Sequence, residues 1–261
     1  MNIINSVNNQ KIKDIVKLKK ASERRLRQIV IVDGAREIEL ARKFGNEILE
    51  LFYCPELIKK EVKDFFGLNS EKITETSAAV FQKICYKESP DGYFALVKIK
   101  SPSLKQLKLS KKPLLIILEA VEKPGNLGAI LRSSYAAGVE AIIINDNQTD
   151  IYNPNVIRAS EGFVFVLPVV IASVEETTKW LKDGKIMSLA AATTGKNIYT
   201  EEKMSGPLAI VLGSEAYGLS DKWLKRADKL IKIPMAKGID SLNVSVSAAI
   251  LMYEALRQRG K

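Results

Sequence analysis

Residues 113–146, PLLIILEAVEKPGNLGAILRSSYAAGVEAIIIND, predict a strand, a loop, a helix and a second strand in that order. The two apolar runs, PLLIILEA and EAIIIND, are nearly continuous, which is typical of strands with both sheet faces covered. NLGAILRSSYAAG lies between them, has helical spacing and ends at Gly138. This order is that of a βαβ unit, so the stretch predicts a parallel α/β sheet.

The alternation continues to the end of the chain. A helix is predicted for VEETTKWLKDG, and a last helix for about Asn243 to Arg259. An internal Pro168 makes FVFVLPVV an edge or bent strand. Further strands are predicted for KIMSLAAATTG, PLAIVLGSE and ADKLIKIPM.

The N-terminal third alternates in the same way. Strands are predicted for QIVIVDG, ILELFYC and GYFALVKI, and helices for AREIELARKFG, PELIKKEVKDFFG and AAVFQKICY. The polar, lysine-rich SPSLKQLKLSKKP then interrupts the pattern between two prolines. We therefore expect two α/β domains, a smaller one over residues 1–105 and a second over 113–261, joined by a linker at 106–112.

The charge balance is basic and uneven. The formal net charge is +10, and residues 1–28 contain eight lysines and arginines against two acidic residues. This segment has two interpretations, a solvated helix face or a surface for a polyanion such as RNA. Under the second interpretation, the candidate contacts are Lys11, Lys17, Lys20, Arg24 and Arg25.

Several classes of site are excluded or disfavoured. The chain contains no histidine, which rules out Ser-His-Asp and Cys-His catalysis and any His-ligated metal, and we expect no metal site. Cys54 and Cys85 form no CxxC and lie in apolar surroundings, so buried, inert thiols in a reducing cytoplasm are expected. The sequence shows neither an apolar signal core nor an apolar run of about 18 residues, so no membrane segment is expected.

Three junctions between a strand and a helix carry small polar or charged residues. In EKPGNLGAILR, Asn126 is expected to cap a helix beginning at Leu127, with Arg132 two turns in. In AIVLGSEAYGLS, Gly213 ends a strand and Glu215 is expected at a helix N-terminus. In IPMAKGIDSLNVSVS, either Ser241 or Asn243 caps the last helix. Capped helices and small-residue packing would explain each junction alone, but such junctions are also where open α/β sheets bind ligands.

Together, and in this order, the three motifs resemble the signature of the SpoU/TrmH family of RNA 2'-O-ribose methyltransferases. GxGxxG and GxxxxGK[ST] are absent from the chain, so dinucleotide and P-loop alternatives lose their usual support. The resemblance implies the SPOUT fold with a C-terminal trefoil knot, S-adenosylmethionine as cofactor, and a homodimer formed through the C-terminal domain.

The same resemblance assigns roles to individual positions. Cofactor contacts are implied for Leu212, Gly213, Ile233, Met235, Leu242 and Asn243. The methyl-transfer site is implied to contain Asn126, Arg132, Glu215, Asn243 and Ser245. Because a guanidinium stays protonated, we interpret Arg132 as stabilising a developing alkoxide or a neighbouring RNA phosphate rather than as a base.

The N-terminal third is similar to the L30e-like substrate-binding domain of rRNA-modifying members of the family. Asp33-Gly34 stands where the family has Glu-Gly, and DGYFALVK resembles the last strand of that domain. This favours large-subunit rRNA, with guanosine as the modified nucleoside, over a tRNA. A tRNA methyltransferase and a non-catalytic RNA-binding protein are the alternatives, although the intact Asn126, Arg132 and Glu215 argue against a decayed enzyme.

Overall fold

The computed structural model describes residues 2–260, and these fall into two compact units. The first extends to Lys100 and includes Tyr152–Val166, and the second contains Ser101–Ile151 and the chain from Leu167 onward. No helix within residues 2–260 combines the length and apolar character that crossing a membrane requires.

The first unit is a mixed sheet with helices packed on it. Its strands are β1 (Asn2–Ile4), β2 (Ile29–Asp33), β3 (Ile48–Tyr53), β4 (Ile73–Thr76) and β5 (Tyr93–Lys98). Its helices are α1 (Gln10–Lys17), α2 (Ala21–Arg27), α3 (Ala35–Lys43), α4 (Ala78–Ile84) and α6 (Pro154–Ala159). The strand order is β1-β4-β3-β5-β2, in which β5 runs antiparallel to both of its neighbours.

Aromatic side chains fill the core of this unit. The rings of Phe52 and Phe94 stack at 4.5 Å, and Phe81 meets Phe94 edge-on at 5.2 Å. Cys54 and Cys85 are both buried beside this cluster, and burial raises the pKa of each thiol. The prediction of buried thiols is therefore confirmed.

The helix predicted for PELIKKEVKDFFG is wrong. Only Pro55–Leu57 and Lys63–Gly67 form short 3₁₀ segments, and φ is positive at each of the four residues 64–67. A right-handed helix cannot accommodate that backbone. Phe66 is buried edge-on against Tyr93 at 6.1 Å, so tertiary packing overrides local helix propensity here.

The second unit is a seven-stranded sheet in which every pairing is parallel. Its strands are β6 (Leu114–Glu119), β7 (Ala141–Asn145), β8 (Val169–Ile171), β9 (Met187–Ala191), β10 (Asn197–Ile198), β11 (Leu208–Leu212) and β12 (Lys229–Lys232). Its helices are α5 (Pro124–Ala136), α7 (Val174–Asp183), α8 (Asp221–Arg226) and α9 (Val244–Gln258). The order is β10-β12-β9-β11-β6-β7-β8, which confirms the predicted parallel sheet.

The central strands β6, β7 and β11 are buried along their whole length. Both sheet faces are thus covered, as their continuous apolar sequences predict. Chain order runs from β6 to β7 and β8 on one side, and later strands lie on the other. The strand order therefore reverses beside β6, and such a reversal is where open α/β sheets bind ligands.

Two segments of the second half differ from expectation. The strand in FVFVLPVV begins only after Pro168, at Val169, because residues 163–165 form a 3₁₀ turn that follows Gly162 in a left-handed conformation. Residues 106–112, expected to be a linker, are grouped with the second unit, where Leu107 and Leu109 pack against its hydrophobic core.

Candidate cofactor and catalytic site

The three motifs follow β6, β11 and β12, which lie close together in the sheet with β9 between the last two. Because these strands are parallel, their carboxyl ends meet at one edge. The motif loops are therefore neighbours in space although up to about 120 residues separate them along the chain.

A cavity of about 600 Å³ opens at this edge. It is lined by five of the six positions assigned to the cofactor, Leu212, Gly213, Ile233, Met235 and Leu242. The sixth, Asn243, does not line it, although its neighbours on both sides do. The cavity wall is thus a mixture of apolar side chains and loop backbone, typical of small-molecule sites.

Gly213 is required by the backbone that passes next to it. A Cβ atom at this position would lie 2.2 Å from the carbonyl carbon and oxygen of Gly218. Ser214 and Gly218 exchange backbone hydrogen bonds of 3.0 Å, which close a tight turn against the end of β11. The absence of a side chain on Gly213 lets this turn form the wall of the cavity.

Glu215 lies in this turn. The expectation that it stands at a helix N-terminus is therefore wrong. The next helix, α8, begins only at Asp221, after the N-cap residue Ser220. The buried carboxylate of Glu119 accepts hydrogen bonds from the Ser220 amide at 2.8 Å and from its hydroxyl at 2.7 Å. The glutamate near a helix start is therefore Glu119, and Glu215 is left available for the site.

Glu215 connects all three motifs. Its Oε1 accepts hydrogen bonds from Asn126 Nδ2 and, at 3.2 Å, from Asn243 Nδ2. Its Oε2 pairs with Lys123 Nζ at 2.6 Å, and this hydrogen bond raises the pKa of Lys123. Both carboxylate oxygens are thus occupied, which fixes the orientation of the two amide side chains.

Asn126 does not cap α5 as expected. The helix begins three residues earlier than predicted, with Pro124 in its first turn, because proline is preorganised for that position. Asn126 thereby lies inside the first turn, and its side chain is directed to Glu215.

Asn243 caps α9, which settles the alternatives left by the sequence. Its Oδ1 accepts from the Ser245 amide at 2.9 Å and from the Ser245 hydroxyl at 2.6 Å. Its Nδ2 also donates to Asn126 Oδ1 at 3.2 Å. Four of the five predicted catalytic side chains, Asn126, Glu215, Asn243 and Ser245, are therefore brought together.

Arg132 is the fifth, and it does not join this cluster. It is exposed on α5 and lines neither the 600 Å³ cavity nor the smaller one beside Glu215. Arg132 lies six positions after Asn126 on α5, which places the two on different faces of the helix.

The domain comparisons agree with this geometry. The SpoU rRNA Methylase family matches residues 113–253, more than half of the chain. The chain belongs to the SpoU rRNA methylase family. Residues 9–95 match the MRM3-like substrate binding domain, in the region where a substrate-binding domain was predicted.

Relatives of this SpoU protein include enzymes named for 23S rRNA. RlmP of Bacillus subtilis, a 23S rRNA (guanosine(2553)-2'-O)-methyltransferase, is 28% identical over 97% of this chain and 98% of its own. RlmB of Vibrio parahaemolyticus, a 23S rRNA (guanosine-2'-O-)-methyltransferase, is 39% identical over 56% of this chain and 60% of its own. A 23S rRNA (uridine(2479)-2'-O)-methyltransferase of Streptomyces viridochromogenes is 28% identical over 88% of this chain and 83% of its own.

A solved structure has the same fold along the whole chain. The AdoMet-bound rRNA methyltransferase of Sinorhizobium meliloti superposes with a TM-score of 0.90 and 26% identity. The superposition covers 98% of this chain and 97% of the other.

Sequence reasoning missed two parts of this SpoU site. The last residue of β9 and the loop after it, residues 191–194, also line the large cavity. A Cβ on the following Gly195 would lie 2.6 Å from the Ile231 carbonyl carbon, so AATTG after an apolar strand was a usable signal of a close backbone approach. Lys123 was also missed, since a lysine before Pro124 carries no local signal.

The predicted RNA contacts of the first unit are distributed unevenly. Lys11, Lys17, Lys20 and Arg25 are exposed, the first two in ion pairs with Glu50 and Asp14. Arg24 is wrong as an RNA contact, because it is only 2% exposed. Its guanidinium donates to the carbonyls of Leu18 and Lys19 at 2.7 and 2.8 Å, where it satisfies the end of α1.

Proposed function

We propose that this SpoU-family chain is an S-adenosylmethionine-dependent 2'-O-ribose methyltransferase that acts on large-subunit, 23S-type rRNA, with guanosine as the favoured nucleoside. The observation that carries the proposal is the hydrogen-bonded cluster that Asn126 and Asn243 form with Glu215, the member of the cluster that lines the 600 Å³ cavity. The names of RlmP and RlmB support 23S rRNA and guanosine, and the uridine enzyme shows that the base must be tested.

The cavity fits the cofactor in size and in the chemistry of its wall. Its volume falls within the range of about 300–1,000 Å³ for small-molecule sites. Leu212, Ile233 and Leu242 offer apolar surface for an adenine and its methionine chain, and Gly213, which has no side chain, contributes backbone to the cavity wall. The bound cofactor supplies a methyl group activated on a sulfonium sulfur.

The chain's own residues align the acceptor hydroxyl. In the transfer, the ribose 2'-oxygen forms a bond to the methyl carbon as the carbon–sulfur bond breaks, and the hydroxyl proton passes to solvent. Glu215 holds the amides of Asn126 and Asn243 in one orientation, and Ser245 holds Asn243 from the other side. Such preorganised donors and acceptors position a ribose without moving during the reaction.

In this proposal a homodimer brings Arg132 to the site, because Arg132 lines neither the 600 Å³ cavity nor the smaller cavity of its own chain. Arg132 lies on α5, which packs against α9. Both helices also expose apolar side chains, Tyr135 on α5 and Val246 and Tyr253 on α9, and these support a dimer interface on the two helices. In such a twofold dimer, Arg132 of one protomer serves the cavity of its partner and stabilises the developing alkoxide or the neighbouring phosphate. The trefoil knot of the SPOUT class belongs to this proposal, and membership of the SpoU family supports it.

Subunit mixing tests this arrangement. Arg132→Ala and Asn126→Ala should each lose nearly all activity when tested alone. If Arg132 acts across the dimer, exchange of the two variants creates heterodimers with one intact site, restoring about a quarter of the wild-type rate at equal mixing. Mixing without any recovery would show that Arg132 acts within its own chain.

The N-terminal region, residues 1 to about 105, carries much of the RNA affinity in this proposal, and residues 113–261 carry the cofactor site and dimer contact. Exposed Lys17, Lys20 and Arg25 and the MRM3-like substrate binding match support the assignment. An rRNA substrate also favours the cytoplasm as the place of action.

Methyl incorporation into separate rRNA and tRNA samples tests the function. The proposal expects labelling of large-subunit rRNA, with cofactor binding by calorimetry unaffected by a metal chelator. Labelling confined to tRNA would transfer the activity to that substrate. A folded protein that binds RNA but not S-adenosylmethionine would be a non-catalytic binding protein.

A further inference from the structure

A second cavity, of about 290 Å³, adjoins the first. It is lined by Val121, Glu122, Lys123, Glu215, Ala216 and Val244. Glu215 and Val244 also line the 600 Å³ cavity, so the two spaces meet at the carboxylate that organises the site. A methyl transfer needs a donor and an acceptor in adjoining spaces, and only the larger cavity is of a size for the whole cofactor.

The acidic side chains that line the smaller cavity would repel an RNA phosphate, and one lysine can offset them. Of the described residues that line it, Glu122 and Glu215 are acidic and Lys123 alone is basic. A phosphodiester beside two carboxylates meets electrostatic repulsion unless a cation stands between them. Lys123 is the lining residue that can supply this cation.

Lys123 is also able to exchange its partner. Its Nζ pairs with Glu215 at 2.6 Å, yet 71% of its side chain is exposed. Exposed ion pairs contribute little to stability, so little is lost when the ammonium leaves Glu215 for a phosphate. Glu215 keeps its hydrogen bonds from Asn126 and Asn243 when that happens, so the amide cluster stays in place.

We propose that the smaller cavity is the subsite of the acceptor nucleotide, and that Lys123 moves from Glu215 to an RNA phosphate next to the target ribose. Lys123 is then a substrate-positioning residue that senses RNA, whereas the cofactor cavity binds its ligand independently of it. This inference rests on the proposed function, because it assigns the smaller cavity to the RNA substrate of the same reaction.

Replacement of the lysine charge tests the subsite. Lys123→Gln should weaken binding of an unmodified 23S rRNA transcript about five- to tenfold, the effect of a partly exposed, charge-assisted contact. It should also lower the slope of log affinity against log salt by about 0.7, the value for one neutralised phosphate on a single strand. Lys123→Arg should restore most of both, and S-adenosylmethionine affinity should stay at the wild-type value in each variant.

The matched control is Lys225→Gln. Lys225 has a similarly exposed side chain, at 76%, and a similar ion pair, 3.2 Å from Asp221, but it lines neither cavity. It should leave RNA affinity and salt slope unchanged.

Two measurements separate the subsite from the proposed function. RNA affinity is measured with the demethylated cofactor product present, so it does not depend on turnover. A wild-type protein that transfers no methyl group to any RNA would refute the proposed function. A wild-type protein that is active, with Lys123→Gln binding RNA at wild-type affinity and salt slope, would refute the subsite. Loss of rate with unchanged RNA affinity would likewise overturn it, since Lys123 would then only hold Glu215.

Discussion

Gly213→Ala should weaken cofactor binding through a steric effect that the structure allows to be worked out. The new Cβ would lie 2.2 Å from the Gly218 carbonyl atoms and 2.5 Å from the Leu219 nitrogen. Ordinary contacts begin at 3.4 Å, so the turn must retreat by about 1.2 Å. All three atoms belong to backbone, and no rotamer change can relieve the overlap.

The cost follows from two consequences of that retreat. Overpacking of a tight site costs about 1–3 kcal/mol, which corresponds to roughly 5- to 150-fold weaker binding if it falls on the bound state. Glu215 moves with the turn, and a misplacement of about 1 Å can lower the rate about 100-fold further. We therefore expect both a higher dissociation constant and a lower turnover number.

Calorimetric titration with S-adenosylmethionine measures the first effect, and single-turnover methyl transfer measures the second. Gly206→Ala is the matched control, because a Cβ there meets nothing within 4 Å and the residue precedes the same strand. Thermal unfolding of both variants establishes that each is folded. Unchanged cofactor affinity in a folded Gly213→Ala protein would refute the reasoning.

Three further variants test the roles of Arg132, of the basic N-terminal surface and of Asp33. Arg132→Ala should lower methyl transfer about 100- to 1,000-fold and leave calorimetric cofactor affinity within a few-fold, and near-wild-type turnover would make Arg132 a plain surface residue. Lys20→Gln with Arg25→Gln should reduce the salt slope of RNA binding by about 0.7–0.9 per charge, and an unchanged slope would leave this surface merely solvated. Burial raises the pKa of Asp33 in the native state above the ordinary aspartate value of 3.8. The wild type therefore loses stability as pH rises from 3.8 through the raised native pKa. Asp33→Asn does not titrate, so its stability relative to the wild type should increase over the same pH range. Denaturant unfolding at acidic and neutral pH checks this, and equal stability of the two proteins at neutral pH would contradict it.

The hydrogen bonds of the buried Asp33 carboxylate explain why an asparagine is expected to be tolerated there. Its Oδ2 accepts hydrogen bonds from the amides of Tyr86 and Lys87 at 2.9 and 3.0 Å, while its Oδ1 has no hydrogen-bond partner among residues 2–260. An asparagine oxygen can accept the same two bonds without a buried charge, which is why the substitution is expected to stabilise.

The strands of the second unit were predictable because their information is local. Runs such as LLIILE and LAIVL are apolar at every position, and a strand buried on both faces needs nothing else to be recognised. The positions lining the cofactor cavity were predictable because they follow those strands. The family resemblance then supplied the roles.

The failures have a common physical origin in long-range contacts. The segment around Phe66 has good helix formers, yet the burial of that ring against Tyr93 holds the backbone in the left-handed region. Arg24 lies in a basic run but caps a neighbouring helix, and no local pattern distinguishes it from exposed Arg25. Glu215 resembles a residue at a helix start until the turn closed by Gly218 is seen.

The central claim is that this chain methylates a ribose 2'-oxygen of large-subunit rRNA. A methyl group there removes the nucleophile for alkaline cleavage of the adjoining phosphodiester, so the claim can be tested by alkaline hydrolysis of a treated 23S rRNA transcript. The account predicts one alkali-resistant linkage after incubation with protein and S-adenosylmethionine, yielding 2'-O-methylguanosine on digestion, and none with Glu215→Ala. Methylation on a base, with every linkage still cleaved by alkali, would contradict it.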